Sequence, residues 1–296
     1  MLQLLLGGSG SGKTTLLYQR IRTRAEKGEK SILLVPEQFT SSTEGRIYRE
    51  LGDALSGMVE SFSFTSLAEK ILSTEGGAAV QTLSDAGRAV LVRRALEELQ
   101  DNVHYYHRHR RSAAFCQMAA QTIDELKSAG LSGQQLAQLA GACGAESGKL
   151  SELALIFQGY ETLLARSGMD PSDRLELAGA RLEEALARHS LPEFLRDRAV
   201  FIDEFDTFNA PKKRLLGAML AALPSVTVAL CDDGAPLLPG DLSLFSGAKQ
   251  VAAQLRQLAR KNGAEVAVPQ LLRKDLRHRN APGLAAVAEL LETGSC

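Results

Sequence analysis

Eight consecutive residues near the start of the chain have the types and spacing to do chemistry: Gly7-Gly8-Ser9-Gly10-Ser11-Gly12-Lys13-Thr14. Glycines at these positions let successive backbone N–H groups turn towards one point. A lysine and a hydroxyl follow at once. The set suits phosphate: N–H groups cradle the oxygens, the lysine reaches the terminal phosphates and the hydroxyl ligates magnesium. The order is G-x-x-x-x-G-K-T, a P-loop. The expected ligands are ATP and Mg2+. The expected binding residues are Gly7, Gly8, Ser9, Gly10, Ser11, Gly12, Lys13, Thr14 and Thr15. The bland alternative is a glycine-rich turn that holds no nucleotide.

The second chemical signal is Phe201-Ile202-Asp203-Glu204, about 190 residues further on. An acid at the tip of a buried strand is what magnesium beside a P-loop needs. Asp203 is expected to hold the ion together with Thr14. Glu204 is expected to orient or deprotonate an attacking water, with Lys13 as the other catalytic residue. Two acids after an apolar run are common at ordinary strand ends, so this motif gains its meaning from the P-loop.

These residues need elements to position them. The apolar run Leu2 to Leu6 leads into the glycine loop, and residues 14–26 carry a helical pattern after it. That strand–loop–helix context is the one a P-loop requires. Further strand-length runs are Ser31 to Val35, Met58 to Phe62, Ala199 to Ile202 and Val226 to Leu230. Patterned helical residues, such as 43–51 and 211–223, separate some of them. Alternating strands and helices predict an α/β parallel sheet.

Between residues 83 and 196 the strand signal disappears. Val92, Leu96 and Leu99 form one helical stripe. Phe115, Ala119, Ile123 and Leu126 form a second. Leu153, Ile156, Phe157, Tyr160, Leu163 and Leu164 form a third. Their three- and four-residue spacing marks helices. Ser132 and Gln135 can form a capping box, and Asp170 before Pro171 reads as a helix start. The expected organisation is one α/β domain, residues 1–80 and 197–296, interrupted by an all-α insertion at 81–196.

Composition narrows the partners. Hydrophobic residues make up 45% and charged residues 23% of 296, enough for a sizeable core. The net charge of −1 gives no global attraction to nucleic acid, so any such contact must be local. Cys116, Cys143, Cys231 and Cys296 are too scattered for a zinc or redox motif and read as incidental thiols. No apolar run approaches a membrane span. A cytoplasmic protein with no membrane partner is expected.

One local basic run stands out: His104-Tyr105-Tyr106-His107-Arg108-His109-Arg110-Arg111. Basic side chains interleaved with aromatics can pair with phosphates and stack on bases. A solvated loop is the plainer reading, and a histidine metal site the remotest. Lys212-Lys213-Arg214, just after a helix start at Asn209, is another basic cluster, in an unfavourable place for positive charge.

Taken together, the motifs resemble a family. The wide gap between P-loop and acidic pair, filled by helices, resembles superfamily 1 helicases of the UvrD type. There a RecA-like domain 1A carries the P-loop and a domain 1B is inserted into it. Ser63-Phe64-Thr65-Ser66-Leu67-Ala68 resembles that family's segment beside the DNA track, which implies DNA contact at Ser63, Phe64 and Thr65. The basic run adds Arg108, Arg110 and Arg111 as candidate DNA contacts. The chain is more closely similar to the B subunit of the bacterial AddAB (RexAB) helicase–nuclease. Leu34-Val35-Pro36-Glu37-Gln38-Phe39-Thr40 and Leu83-Ser84-Asp85-Ala86-Gly87-Arg88 carry that likeness.

The resemblance implies a P-loop NTPase fold and a part in processing DNA double-strand breaks for recombinational repair. It also implies a heterodimeric partner of the AddA type, and an N-terminal fragment of a longer polypeptide. The second motor domain, the nuclease carboxylates and the cysteines of a 4Fe-4S cluster belong to the family's remaining regions. Two departures stand out. The glutamine expected after Phe205 is absent, and Cys231-Asp232-Asp233-Gly234-Ala235-Pro236 replaces a motor segment of superfamily 1. They imply ATP binding with little hydrolysis. The alternatives are a stand-alone P-loop ATPase or small-molecule kinase, and a non-catalytic scaffold that holds ATP structurally.

Overall fold

The computed structural model describes residues 1–79, 81–144 and 147–293. Its strands are β1 (Leu2–Gly7), β2 (Ser31–Leu34), β3 (Val59–Phe62), β4 (Ala199–Ile202), β5 (Ser225–Cys231) and β6 (Gln270–Leu272). Four helices interleave with the first three strands: α1 (Lys13–Glu26), α2 (Thr40–Leu51), α3 (Asp53–Ser56) and α4 (Phe64–Glu75). Five follow: α5 (Asp85–Glu98), α6 (Ala113–Ser128), α7 (Gly133–Ala140), α8 (Ser147–Ser167) and α9 (Pro171–Ala187). The last three are α10 (Ala210–Ala222), α11 (Ser246–Lys261) and α12 (Pro282–Thr293).

The chain divides into two compact units. The first comprises Met1–Glu75, Arg181–Phe208 and Leu215–Cys296; the second comprises Gly76–Ala180 and Asn209–Arg214. The first unit holds a six-stranded sheet of order β3-β2-β4-β5-β1-β6. Every pairing is parallel. The inner strands β2, β4, β5 and β1 are almost continuously buried, as strands covered on both faces must be. On one face Leu5, Leu33, Phe201 and Ala229 pack against Leu17 and Ile21 of α1 and Ile47 and Leu51 of α2. On α11, Val251, Ala252, Leu255 and Ala259 form a buried stripe, and that helix contacts β1 and β5.

The sixth strand is an addition to the sequence expectation. It is three residues long, follows Pro269 and is only half buried, so it lacks the apolar run that marks the others. Arg20 of α1 ties it in, donating hydrogen bonds to Gln3 of β1 and Gln270 of β6.

The second unit is helical. Its core joins Val92 and Leu96 of α5, Ala119 and Ile123 of α6, Leu136 of α7, and Ile156, Phe157 and Tyr160 of α8. These are the stripes that the spacing marks. The capping box forms: Gln135 N–H donates to Ser132 Oγ, and Ser132 N–H donates to Gln135 Oε1. Helix α9 begins at Pro171, but the Asp170 carboxylate is engaged elsewhere. It pairs with Lys127 Nζ at 2.7 Å and accepts the Tyr160 hydroxyl at 2.6 Å. Lys127 also pairs with Asp173 at 2.7 Å.

The expected insertion ran to residue 196. The segment from Arg181 instead groups with the sheet unit. Arg188 pairs with Glu75, Arg198 with Glu60, and Phe194 packs near Phe62 of β3. Asn209 caps α10 by accepting from Lys212 N–H, and Arg214 finds a carboxylate partner in Glu176. Among the described residues no helix is long and apolar enough to cross a membrane. Cys116 is buried, while Cys143 and Cys231 are exposed; Cys296 lies outside the described residues.

The ion network around Asp170 gives the first prediction. Lys127→Met removes a cation paired with a carboxylate that is 1% exposed. Breaking one partner of a buried pair costs about 3–5 kcal/mol. Hydrogen exchange at the α6 and α8 amides should accelerate accordingly, and wild-type protection would show that the network does not hold the unit.

Candidate functional site

The carboxyl ends of the parallel strands define where a ligand can enter, because polar loops gather there. Strand β1 ends at Gly7 and β4 at Ile202, just before Asp203; β5 ends at Cys231. The three ends border one cavity of about 450 Å3, lined by Lys13, Thr14, Asp203, Glu204, Arg46 and Arg277 among others.

Local structure shows why the loop must be glycine-rich. A side chain at Gly7 would drive its Cβ into Ser11 Oγ and put it 2.7 Å from the Leu272 carbonyl oxygen. Gly12 starts α1 with φ 90°, a left-handed conformation that other residues rarely adopt. Gly12 places the first turn of α1 at the cavity wall, where its leading N–H groups have no intrahelical partner. Lys13 Nζ donates to the carbonyls of Gly7 and Gly8, each at 2.8 Å, and lies 3.4 Å from Cys231 Sγ. The ammonium is thus held inside the curve of the loop.

Asp203 is 6% exposed. Its N–H donates to the Leu34 carbonyl, one step beyond the β4–β2 ladder. Its carboxylate takes hydrogen bonds from the Thr14 hydroxyl and from Glu204 N–H, the latter at 3.1 Å. Burial pushes the Asp203 carboxyl above the usual range; Thr14, Lys13 and Arg46 oppose the shift without reversing it. Glu204 sits at φ 64°, in the left-handed region. Burial and the neighbouring Asp203 raise its carboxyl too, while Arg46 and Lys13 pull it down.

Two cations join this site without a motif to announce them. Arg46 of α2 lines the cavity and stacks its guanidinium 4.9 Å from the centre of the Tyr18 ring. Arg277, on the segment after β6, reaches Ser9 Oγ at 3.2 Å. Next to it, Leu276 N–H donates to the Gly10 carbonyl. The helical amphipathicity of α2 places Ile47 and Leu51 in the core, which turns Arg46 towards the loop. That was the available signal for Arg46; Arg277 had none.

The other expected site residues lie elsewhere. Ser63 is buried and caps α4: Ser66 N–H donates to its Oγ, and its own N–H donates to Ser66 Oγ. Phe64 is 2% exposed, its ring set edge-on to Phe205 and Phe208 at 5.2 and 6.0 Å. Both side chains therefore face inward, and only Thr65 presents its side chain to solvent. Arg108, Arg110 and Arg111 sit in the helical unit, in and after a single 3-10 turn at His107–His109. Among the described residues no three metal-ligating side chains converge, so the histidines of that run do not gather.

Comparison with known proteins fits this arrangement. The family described as ADDB, N-terminal matches residues 4–288. The chain belongs to the AddB N-terminal family. Among its curated relatives is the B subunit of the ATP-dependent helicase/deoxyribonuclease of Desulforudis audaxviator (strain MP104C), 34% identical across 96% of this chain and 25% of that protein. Proteins with the same description from Moorella thermoacetica and from Clostridium perfringens (strain 13) are 32% and 29% identical. They match 96% and 94% of this chain, and 25% and 24% of their own lengths. The chain thus spans about a quarter of the length of these relatives. An AddB-type match over nearly the whole chain does not favour an independent small-molecule kinase.

The raised Asp203 carboxyl yields a prediction on the chain alone. A carboxyl whose folded value lies above its ordinary 3.8 destabilises the fold once ionised. Asp203→Asn keeps an acceptor for Thr14 and removes the charge. The variant should melt higher than wild type at neutral pH. The gap should grow as pH rises from 3.8 through the raised value, then stay constant. A lower melting temperature for the variant at pH 7 would contradict it.

Proposed function

We propose that the chain is the ATP-binding region of an AddB-type subunit, a RecA-like domain interrupted by a helical domain. In helicase terms these are domains 1A and 1B. The observation that carries this reading is the meeting of Lys13, Thr14 and Asp203 at one cavity ringed by Arg46 and Arg277. Residues 7–15 would wrap the phosphates with backbone N–H groups, and Lys13 would neutralise the terminal ones.

The donor set fits magnesium. Thr14 and Asp203 offer hard oxygens side by side, already linked by a hydrogen bond. When bound, the ion would neutralise charge between phosphate oxygens. Burial that penalises a lone Asp203 carboxylate becomes favourable once a cation shares the pocket. Glu204, exposed and lining the same cavity, would orient a water molecule. Arg46 and Arg277 would pair with phosphate oxygens, a role to which a guanidinium fork is suited.

In the whole protein this region would serve ATP-dependent DNA processing at double-strand breaks, with an AddA-like helicase–nuclease as partner and DNA as substrate. Asp206 occupies the place of the glutamine that couples phosphate to domain movement in superfamily 1, and Cys231 leads a replaced motor segment. Nucleotide binding with little turnover is the expected behaviour of this region.

Titration calorimetry with Mg-ATP tests the proposal. Lys13→Ala should lose affinity by roughly 10- to 150-fold, the value of about 1.5–3 kcal/mol for hydrogen bonds to charged groups. Arg277→Ala should weaken binding by a smaller factor, and removing magnesium with a chelator should weaken binding to wild type. Equal affinity in wild type and Lys13→Ala would sink the nucleotide assignment.

A further inference from the structure

The basic, aromatic run of the helical unit is not used by the nucleotide site. It folds into a specific surface. Tyr105, Tyr106, His109, Phe115, Met118 and Lys149 line a cleft of about 410 Å3. That volume lies within the roughly 300–1,000 Å3 of small-ligand pockets. Tyr106 and Phe115 stack with ring centres 5.3 Å apart, and His109 adds a third ring 5.6 Å from Phe115. Tyr105 is 58% exposed, and Met118 is 56% exposed.

Large exposed apolar side chains on a floppy loop would need no explanation. This loop is held. The buried Glu152 carboxylate accepts the N–H groups of His104, Tyr105 and Tyr106 at 2.8–3.3 Å. Gly148 of α8 lets the Tyr105 ring lie close, because a Cβ there would meet it at 2.8 Å. The rings are therefore fixed before any ligand arrives, which cuts the entropy cost of binding.

Charge selects the ligand. The run 104–111 has three arginines and three histidines and no acid. Glu152 is committed to the three N–H groups, and on α5 Glu97 pairs with Arg93 and Glu98 with Arg94. Arg110 hydrogen-bonds a neutral amide, that of Gln100. Among the described residues Arg108 and Arg111 make no salt bridge. A polyanion with flat, unpaired rings satisfies both halves of such a surface, with phosphates on the arginines and bases on the aromatics.

We infer that the cleft between residues 104–111 and the start of α6 binds single-stranded DNA, taking an unpaired base against Tyr105 with phosphates on Arg108 and Arg111. This deepens the DNA-processing reading and rests on it.

A thymidine oligonucleotide carrying 5-iodo-deoxyuridine tests the inference on the intact chain. Irradiation should link it within residues 104–118, mapped by peptide mass spectrometry. Tyr105→Ala should weaken binding by roughly 5- to 150-fold, the effect of losing one stacked base, and abolish the link; Tyr105→Phe should retain both. Arg108→Ala should reduce the slope of log affinity against log salt by about 0.7. Cross-links elsewhere, or wild-type affinity in Tyr105→Ala, would overturn the cleft and leave DNA binding by another surface standing. Equal binding of the matching duplex, or preference for an acidic phosphopeptide, would overturn it as well. The wild-type cross-link map decides even where Tyr105→Ala fails to fold. Loss of all DNA binding would also overturn it, and Mg-ATP affinity, measured separately, reports on the nucleotide site alone.

Discussion

The register of the parallel sheet is the constraint on which the candidate site depends. Gly7 pairs with Cys231 and Leu34 with Ile202. One residue past those pairs, Asp203 N–H still donates to Leu34 and Asp232 N–H to Gly7. Pairing thus carries Asp203 to the side of Thr14. Successive strand residues face opposite ways, so a slip of one position would turn the carboxylate to the other face. The apolar residues of β4, buried at every position, hold the register by packing on both faces. Strand β4 pairs with β2, from which the helical unit separates it in the chain. Such non-local parallel pairing is slow to form, and the site cannot exist before it does.

Electrostatics then divides the labour at that site. Strand β4 delivers a desolvated carboxylate, α1 delivers the lysine, and Arg46 and Arg277 come from α2 and the segment after β6. Asp203 and Glu204 are both pushed towards protonation by burial, and the cations pull both back. A buried Asp203 beside an exposed Glu204 and partly exposed cations is poor as a self-contained network. On the proposed reading it would be balanced by a polyphosphate on the cations and a metal ion on the acids. The left-handed backbone at Glu204 adds a local cost of about 1–3 kcal/mol, which the flanking strand and the buried Phe205 must offset.

Much of this was legible from residue order because it depends on local pattern. Glycine spacing marks the loop, apolar runs mark β1, β2, β4 and β5, and three-to-four spacing marks the core faces of α5, α6 and α8. Other features depend on what approaches from afar. Strand β6 exists because β1 offers a free edge and Arg20 reaches over to Gln270. Arg277 meets Ser9 only because that strand turns the chain back across the loop. Phe64 illustrates the opposite limit. A motif likeness places it beside a DNA track, but motif likeness carries no information on burial, and Phe205 and Phe208 claim the ring.

The two candidate sites share a device and use it in opposite ways. The second gathers backbone N–H groups around an anion, and the first is proposed to do the same. In the glycine loop the residues border an open cavity, where on the proposed reading the anion would come as a ligand. At residues 104–106 the anion is built in, because the Glu152 carboxylate fills the turn. The backbone there is already satisfied and has no charge left to offer. What remains outward is side chains alone: rings held at fixed positions and arginines beyond them. Recognition proposed for the first site is thus of phosphate at close quarters, with geometry set by the main chain. The recognition inferred for the second is of flat surfaces and spaced charge, with geometry set by one buried glutamate.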